Sequence, residues 1–329
     1  MRVLMVGNGA VGQVLGLHLQ KAGVELAFYA RPESAASLKQ ALDHEGLPLF
    51  QLSHRHSRQP IAHRLDGYQV MTDVEGGRRF KPDQIWFTTP STVYYSAWFR
   101  EFVSSIPSKR VVCFAPEGGR SEFIPEGQPA DRFIFGGITL IAWQGDLAGG
   151  GGRPDAVNFW LPPLLEIPLM GAKDACLEAA EPLQAAGLRA GLKDRGFSKS
   201  QASTTAVLTA LTAGLELSGW TLAAFRRGPW LKTAARAARE AVLSQLPRDD
   251  VITRALLGVT LSPAGLWLIS LVLPLLTPFD LEQYLEFHYT KTRDQSLALL
   301  ALFVADGQLR ERPVTNVRLL LEGLADSSG

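Results

Sequence analysis

The chain opens on Arg2-Val3-Leu4-Met5-Val6-Gly7-Asn8-Gly9-Ala10-Val11-Gly12, and the order of residue types in this stretch decides the fold. Arg2–Val6 is apolar enough for a first strand. From Val11 to Ala22 the residues Val11, Leu15 and Leu19 recur at helical spacing, and Gly23 stands just past the end as a helix stop. A G-x-G-x-x-G pattern alone is weak, but here it sits directly after a strand and directly before a helix. The first glycine permits the tight turn. The second lets the backbone approach a pyrophosphate, and the third lets helix and strand pack closely. The helix N-terminus adds free N–H groups and positive potential. Gly7, Asn8, Gly9, Ala10, Val11 and Gly12 are therefore expected to hold the phosphates of a dinucleotide.

Beyond the turn, strand and helix signals alternate. Glu25–Tyr29 reads as a second strand and Ser34–Leu42 as a helix. Gln84–Thr88, Arg110–Phe114 and Arg132–Ile138 read as further short strands, with a helix at Tyr94–Ser105 between two of them. Such alternation predicts a mostly parallel sheet covered on both faces. Gln51–Arg64 is rich in His, Arg, Ser and Gln and reads as a solvated loop or short strands. Leu147–Pro154 is a glycine-rich loop. Ala156–Trp160 and Leu165–Pro168 are expected to extend the sheet, with a helix at Ala172–Ala186. After about residue 194 the strand signals stop. Ser198–Leu217, Trp230–Leu246, Val251–Leu257, Pro263–Leu273, Leu281–Val304 and Val314–Leu324 all read as helical. The boundary falls near Lys193–Gly196. It predicts an α/β Rossmann domain over 1–193 followed by an all-α domain over 194–329, the latter for substrate binding and dimerisation.

Composition agrees with a globular protein: 46% hydrophobic, 20% charged, with a formal net charge of +1 over 329 residues. That balance argues against nucleic acid or an anionic membrane as the main partner, since both call for a concentrated basic surface. Cys113 and Cys176 lie far apart in no metal or redox spacing, which fits reduced thiols in the cytoplasm. The N-terminal apolar run is short and reads as a strand rather than a signal peptide. Ala255–Thr277 carries no charge, but Pro263, Gly265 and Pro274 interrupt it. Ser262-Pro263 looks like a helix start, with serine as N-cap and proline at the first helical position. A helix buried in the core or in a subunit interface is expected there, not a membrane span.

The end of the second strand bears on cofactor choice. NAD-binding folds usually carry Asp or Glu about 20 residues on, to hold the ribose hydroxyls. Here the chain reads Phe28-Tyr29-Ala30-Arg31-Pro32, with no carboxylate at the strand end. Arg31 suits the 2′-phosphate of NADP(H) through paired, charge-assisted hydrogen bonds.

With the turn at the extreme N-terminus, Arg31 after the second strand and a helical second half, the sequence resembles the ketopantoate reductase family. Gly136-Gly137-Ile138-Thr139 and Pro313-Val314-Thr315-Asn316 are weaker echoes. The resemblance implies the family's fold and its use of NADPH to reduce a 2-oxo acid, with a lysine protonating the oxygen. It also shows where this chain departs. The family's lysine after the fourth strand is replaced by Thr88-Thr89-Pro90-Ser91, and its Asn-Gly pair after the next strand by Ala115-Pro116-Glu117-Gly118-Gly119. Thr88, Thr89 and Pro116, at the ends of those strands, are expected to line the cofactor. The family's lysine and two asparagines on the first helix of the second domain align with Gln201, Thr205 and Thr209, leaving Lys199 two residues earlier. Gln201, Thr205, Thr209 and Glu216 form a polar line on that helix, open either to a site role or to threonines bonding the helix backbone.

A second constellation is Phe287-His288-Tyr289-Thr290-Lys291-Thr292-Arg293-Asp294-Gln295, where His288, Lys291 and Gln295 share a helix face. A histidine near neutral pKa or a lysine depressed by burial can donate a proton to a forming alkoxide. Lys291 and His288, then Lys199, are the candidate proton donors; a hydrated helix face is the other account of the same residues. No metal is indicated, because His54, His56 and His63 lack nearby carboxylates and read as loop residues. The expected function is an NADPH-dependent reductase of a small 2-oxo acid or related carbonyl, working as a homodimer. Two alternatives stay open: a catalytically inactive NADP(H)-binding sensor or interaction protein, and an opine-type dehydrogenase with His288 as general base.

Overall fold

The computed structural model describes residues 1–56, 59–114, 123–145, 156–163, 165–193, 195–245 and 260–327, and the side chains of 195–202 and 245 lie outside that description. The chain divides into two compact units, Met1–Ser198 and Lys199–Gly329.

In the first unit β1 (Arg2–Val6) leads into α1 (Ala10–Lys21), β2 (Glu25–Tyr29) and α2 (Pro32–Asp43). There follow β3 (Leu47–Leu52), β4 (Ile61–Leu65), β5 (Tyr68–Met71), α3 (Val74–Phe80), β6 (Gln84–Phe87), α4 (Ala97–Ser105) and β7 (Arg110–Phe114). The unit continues with β8 (Phe133–Gly136), β9 (Ile141–Gln144), β10 (Val157–Trp160), β11 (Ile167–Met170), α5 (Lys173–Ala185) and β12 (Ala190–Leu192).

The main sheet runs β12-β11-β8-β7-β6-β1-β2-β5. The strands from β5 to β8 are all parallel, β11 is antiparallel to β8, and β12 is parallel to β11. β1 is central, with Val6 paired to Tyr29 on one side and to Phe87 on the other. Strand order reverses there, so the carboxyl end of β1 opens on the crevice where such sheets bind ligands. Burial on both faces explains why Val3, Leu4, Met5 and Val6 form an unbroken apolar run.

A second sheet, β4-β3-β10-β9, lies against α1. Of the two readings of Gln51–Arg64 it takes the short strands, which join the β3–β4 pair with Gln51 opposite Ile61, and it corrects one expectation, since Ala156–Trp160 pairs with β3 and β9 instead of extending the main sheet. The cause is α1 itself, whose residues Gly12–Leu19 are all buried. An apolar helix needs cover on the side away from the main sheet, and the buried alternate residues Leu49, Val157 and Phe159 supply it.

The second unit is all-helical among the described residues. α6 (Arg195–Glu216) starts within the first unit's bounds and continues into this one. α7 (Leu222–Arg227), α8 (Trp230–Gln245), α9 (Pro263–Leu276), α10 (Leu281–Lys291), α11 (Arg293–Leu309) and α12 (Thr315–Asp326) follow. Its core is built on alanine. Ala234, Ala237, Ala238 and Ala241 of α8 are buried, and α8 packs against α12. A Cβ at Gly214 would come within 2.8 Å of that of Ala234, so small residues set the spacing of α6 and α8. The single helix expected over Leu281–Val304 is two, because Thr292 leaves helical geometry and its hydroxyl donates to the His288 carbonyl at 3.0 Å.

At α9 the Ser262 side chain accepts from Gly265 N at 3.0 Å and Pro263 takes the first turn, as the sequence indicates. The expected burial is not found within the chain. Only Leu266 and Ser270 of this helix are buried, while Trp267, Leu268, Leu271, Leu275 and Leu276 are exposed. Among the described residues no single helix is long and apolar enough to cross a membrane; α9 and α10 reach that length only as a pair bent by 104°. The stretches 147–154 and 251–257 lie outside the described residues.

Candidate dinucleotide site

The three glycines of the turn differ in what surrounds them. Gly7 has φ +108°, in the region that favours glycine. A Cβ at Gly12 would run into the Gly7 carbonyl oxygen and the Thr88 hydroxyl, so this position is glycine because α1 lies hard against the ends of β1 and β6. At Gly9 a Cβ would meet nothing within 4 Å among the described residues. The space over Gly9 is therefore open, as an approaching pyrophosphate requires.

Gly9 is also the N-cap of α1. It offers no side-chain cap, and no acidic residue stands in the first turn. The first intrahelical bond runs from Gln13 N to Gly9 O at 3.0 Å. The preceding N–H groups have no partner within the helix, and no local carboxylate offsets the positive end.

Thr88 and Thr89 stand across the crevice at the end of β6. The Thr88 hydroxyl is 2.9 Å from the Gly7 carbonyl oxygen, and the Thr89 hydroxyl oxygen is buried with no hydrogen-bond partner among the described residues. A buried hydroxyl without a partner is costly unless a ligand or water supplies one. Arg31 is the N-cap of α2, exposed, with no ion pair among the described residues. Open space over Gly9, an uncapped helix end, an orphan hydroxyl and an unpaired guanidinium beside β2 all fit a phosphate-bearing dinucleotide. Pro116 lies outside the described residues.

The sequence reading missed Gln13. This residue is 4% exposed, and its Nε2 donates to the Asn8 carbonyl at 2.9 Å, bracing the turn from inside α1. The signal available was a polar residue directly after the third glycine on a helix otherwise apolar through Leu17.

In the helical unit the polar line on α6 resolves toward structure. Thr209 Oγ1 donates to the Thr205 carbonyl at 2.8 Å. Glu216 forms an ion pair with Arg293 at 2.7 Å; burial raises its pKa, opposed by Arg293. The side chains of Lys199 and Gln201 lie outside the described residues. His288 and Lys291 share the last turn of α10. The His288 ring stacks on Tyr284 at 5.5 Å and meets Tyr289 edge-on at 5.0 Å. Burial, then Lys291, lowers its pKa, so the imidazole is neutral at physiological pH. Lys291 is exposed rather than buried. Asn316 is also structural: its backbone N and its Nδ2 donate to Glu240 at 2.8 and 2.6 Å.

His63 belongs to β4, not to a loop, with Nε2 3.1 Å from Gln51 Oε1 and Nδ1 3.3 Å from Lys21 Nζ. No group of metal-ligating side chains is present among the described residues. Cys113 and Cys176 are free and buried; burial pushes both thiols up, that of Cys176 to about 11, which leaves them protonated and unreactive.

Strand order, glycine turn and helical second unit define a Rossmann-type fold of the kind that binds dinucleotides. The sequence matches no protein-family model and no curated protein. Solved structures, in contrast, share the fold along nearly the whole chain. A 2-dehydropantoate 2-reductase from Geobacter metallireducens GS-15 is 14% identical with a TM-score of 0.63, covering 99% of this chain and 100% of its own. A PanE/ApbA family ketopantoate reductase from Ralstonia eutropha JMP134 is 18% identical with a TM-score of 0.67, covering 99% and 97%. D-mandelate dehydrogenase bound to NADH and anilino(oxo)acetate is 16% identical with a TM-score of 0.65, again covering 99% and 97%. The fold of this chain is that of the ketopantoate reductases.

Proposed function

We propose that this protein is an NADPH-dependent reductase of a small 2-oxo acid or a related carbonyl compound, located in the cytoplasm. The observation that carries the proposal is the turn over Gly9, open above an uncapped helix end, with the unpaired guanidinium of Arg31 at the neighbouring strand end. Proteins of this fold include ketopantoate reductases and a D-mandelate dehydrogenase that binds NADH, which supports nicotinamide chemistry on oxo acids. When bound, the dinucleotide supplies a hydride to the carbonyl carbon. The N–H groups at the start of α1 bind its pyrophosphate, the Thr89 hydroxyl offers a hydrogen bond in the crevice, and Arg31 selects the 2′-phosphate.

The reduced oxygen also needs a proton. Lys291, His288 and Lys199 are the candidates, and the neutral state of His288 ranks Lys291 before it. Neither Pro90 nor Pro116, at family positions of catalytic or substrate-binding use, carries a side-chain donor, so turnover of ketopantoate itself is expected to be weak. The exposed apolar side chains of α9 support a homodimer, with a second copy covering that face.

The test is two measurements on the purified protein. NADPH and NADH are titrated against wild type and Arg31→Ala by nicotinamide fluorescence, with NADPH preference expected in the wild type and lost in the variant. A charge-assisted contact of this kind is worth about 1.5–3 kcal/mol. NADPH oxidation is then followed over a panel of 2-oxo acids in wild type, Lys291→Ala, His288→Ala and Lys199→Ala. Tight NADPH binding with no turnover of any oxo acid would overturn the reductase reading in favour of a sensor.

A further inference from the structure

The far end of α1 carries a lysine. Lys21 is the last residue of the helix and is exposed, at a position where a cation is favoured by the free carbonyls of the final turn. No carboxylate pairs with it among the described residues, in contrast to Lys109, which holds Glu178, and Lys193, which holds Glu166. Its amine meets the imidazole of His63 on β4 instead, with Nζ 3.3 Å from Nδ1. An ammonium only donates, so Nδ1 is the acceptor in this contact. The ring proton of neutral His63 is then on Nε2, which donates to Gln51 Oε1 at 3.1 Å. The two contacts together turn the lone pair of the ring toward the lysine amine.

This arrangement suits attack by the lysine nitrogen. The desolvation that remains at the amine lowers the Lys21 pKa below the ordinary 10.5, which enlarges the free-amine fraction. Burial first, then Lys21, lowers the His63 pKa, so the ring is unprotonated at neutral pH and able to accept a proton. We propose that Lys21 is a site of acyl modification, with His63 as the base, and that the acyl group arrives on an acyl phosphate or a thioester. The nitrogen lone pair attacks the acyl carbon, and the N–C bond forms. The C–O bond to phosphate, or the C–S bond of the thioester, breaks, and the leaving group takes that electron pair. The proton released from nitrogen passes to His63 Nδ1 and on to water, and the product is an amide. The step removes the cation that acts on both His18 and His63. The site lies at the opposite end of α1 from the glycine turn and does not depend on the reductase reading.

The test incubates the full-length protein at neutral pH with acetyl phosphate or with acetyl-coenzyme A and follows each lysine by peptide mass spectrometry. Lys39 on α2, also exposed, is the internal reference. Lys21 is expected to be acetylated about tenfold faster than Lys39 by at least one donor, and the donor that labels it identifies the source. The excess should vanish in His63→Phe, which keeps a ring against Phe159 but removes the base. A urea unfolding curve checks that this variant is folded. Wild type in denaturing urea gives the same contrast without a substitution, with Lys21 and Lys39 expected to react alike. Equal rates at the two lysines of the native protein with both donors would overturn the proposal. So would an excess at Lys21 that persists in His63→Phe or in urea.

Discussion

The Thr88 hydroxyl donates to the carbonyl oxygen of Gly7 at 2.9 Å, tying the carboxyl end of β6 to that of β1 across the point where strand order reverses. A methyl group at Gly12 would enter this same contact. Gly12→Ala is therefore expected to destabilise the first unit by about 1–3 kcal/mol, as overpacking does. Urea denaturation measures it; an unchanged midpoint would contradict the close packing of α1 on the strand ends.

Gly9→Val should behave in the opposite way. Its backbone, at φ −69° and ψ −179°, is extended and open to any residue, and among the described residues nothing lies within 4 Å of a Cβ there. Stability is expected to change little, while NADPH binding falls below detection because the side chain occupies the pyrophosphate's space. The pair of glycine variants thus separates a packing role from a ligand role by one denaturation and one titration.

Acid should weaken the contact between α1 and the second sheet. His18, buried in α1, has its pKa lowered by burial first, with Lys21 and His63 adding and the Val14 carbonyl opposing. His63 is lowered by burial and by Lys21. As the pH falls below 6.5, the unfolded chain takes up these protons before the folded one does. Stability is thus present above that value and is lost on the way down to the depressed folded pKa values. The drop in urea midpoint between about pH 7.5 and about pH 5 should be smaller in His18→Gln than in wild type. An equal drop would assign the acid sensitivity elsewhere.

Glu240 on α8 accepts from the backbone N of Asn316 and of Val317, at 2.8 and 3.2 Å, and so caps α12 from a neighbouring helix. Glu240→Ala should cost about 2 kcal/mol, since it removes a charged acceptor from a helix N-terminus. Thermal unfolding of the variant checks this, with NADPH affinity expected to stay at the wild-type value.

The proposed homodimer has its own test. Leu275 is 76% exposed, so Leu275→Glu should leave the protomer folded. Light scattering is expected to give a dimer for wild type and a monomer for the variant; a wild-type monomer at micromolar concentration would refute the homodimer.

How far the sequence could be read depended on the range of the interaction involved. The turn from Val6 to Gly12 was legible because its glycine spacing, the strand before it and the helix after it all fall within a few residues, even though Gly7 and Gly12 also answer to the distant Thr88. The Ser262-Pro263 helix start is equally local. The second sheet was not legible. β3 and β10 pair across more than a hundred residues, with Val157 opposite Leu49, and no local pattern announces such a partner. Gln13 was passed over for a related reason: its importance comes from the Asn8 carbonyl that it braces, which helical periodicity does not report. The break at Thr292 hid inside a continuous helical pattern, since threonine is an ordinary helix residue until its hydroxyl turns back on the His288 carbonyl.

The enclosure of α1 between two sheets limits how this protein can change. Most helices keep one wet stripe on which substitutions accumulate at little harm. Gly12–Leu19 has none. A library randomised over α1 should lose most members to misfolding before any effect on ligand choice is visible. If Arg31 selects the cofactor as proposed, the exposed positions of α2 beside it are where that preference can be retuned, by selection in nature or at the bench.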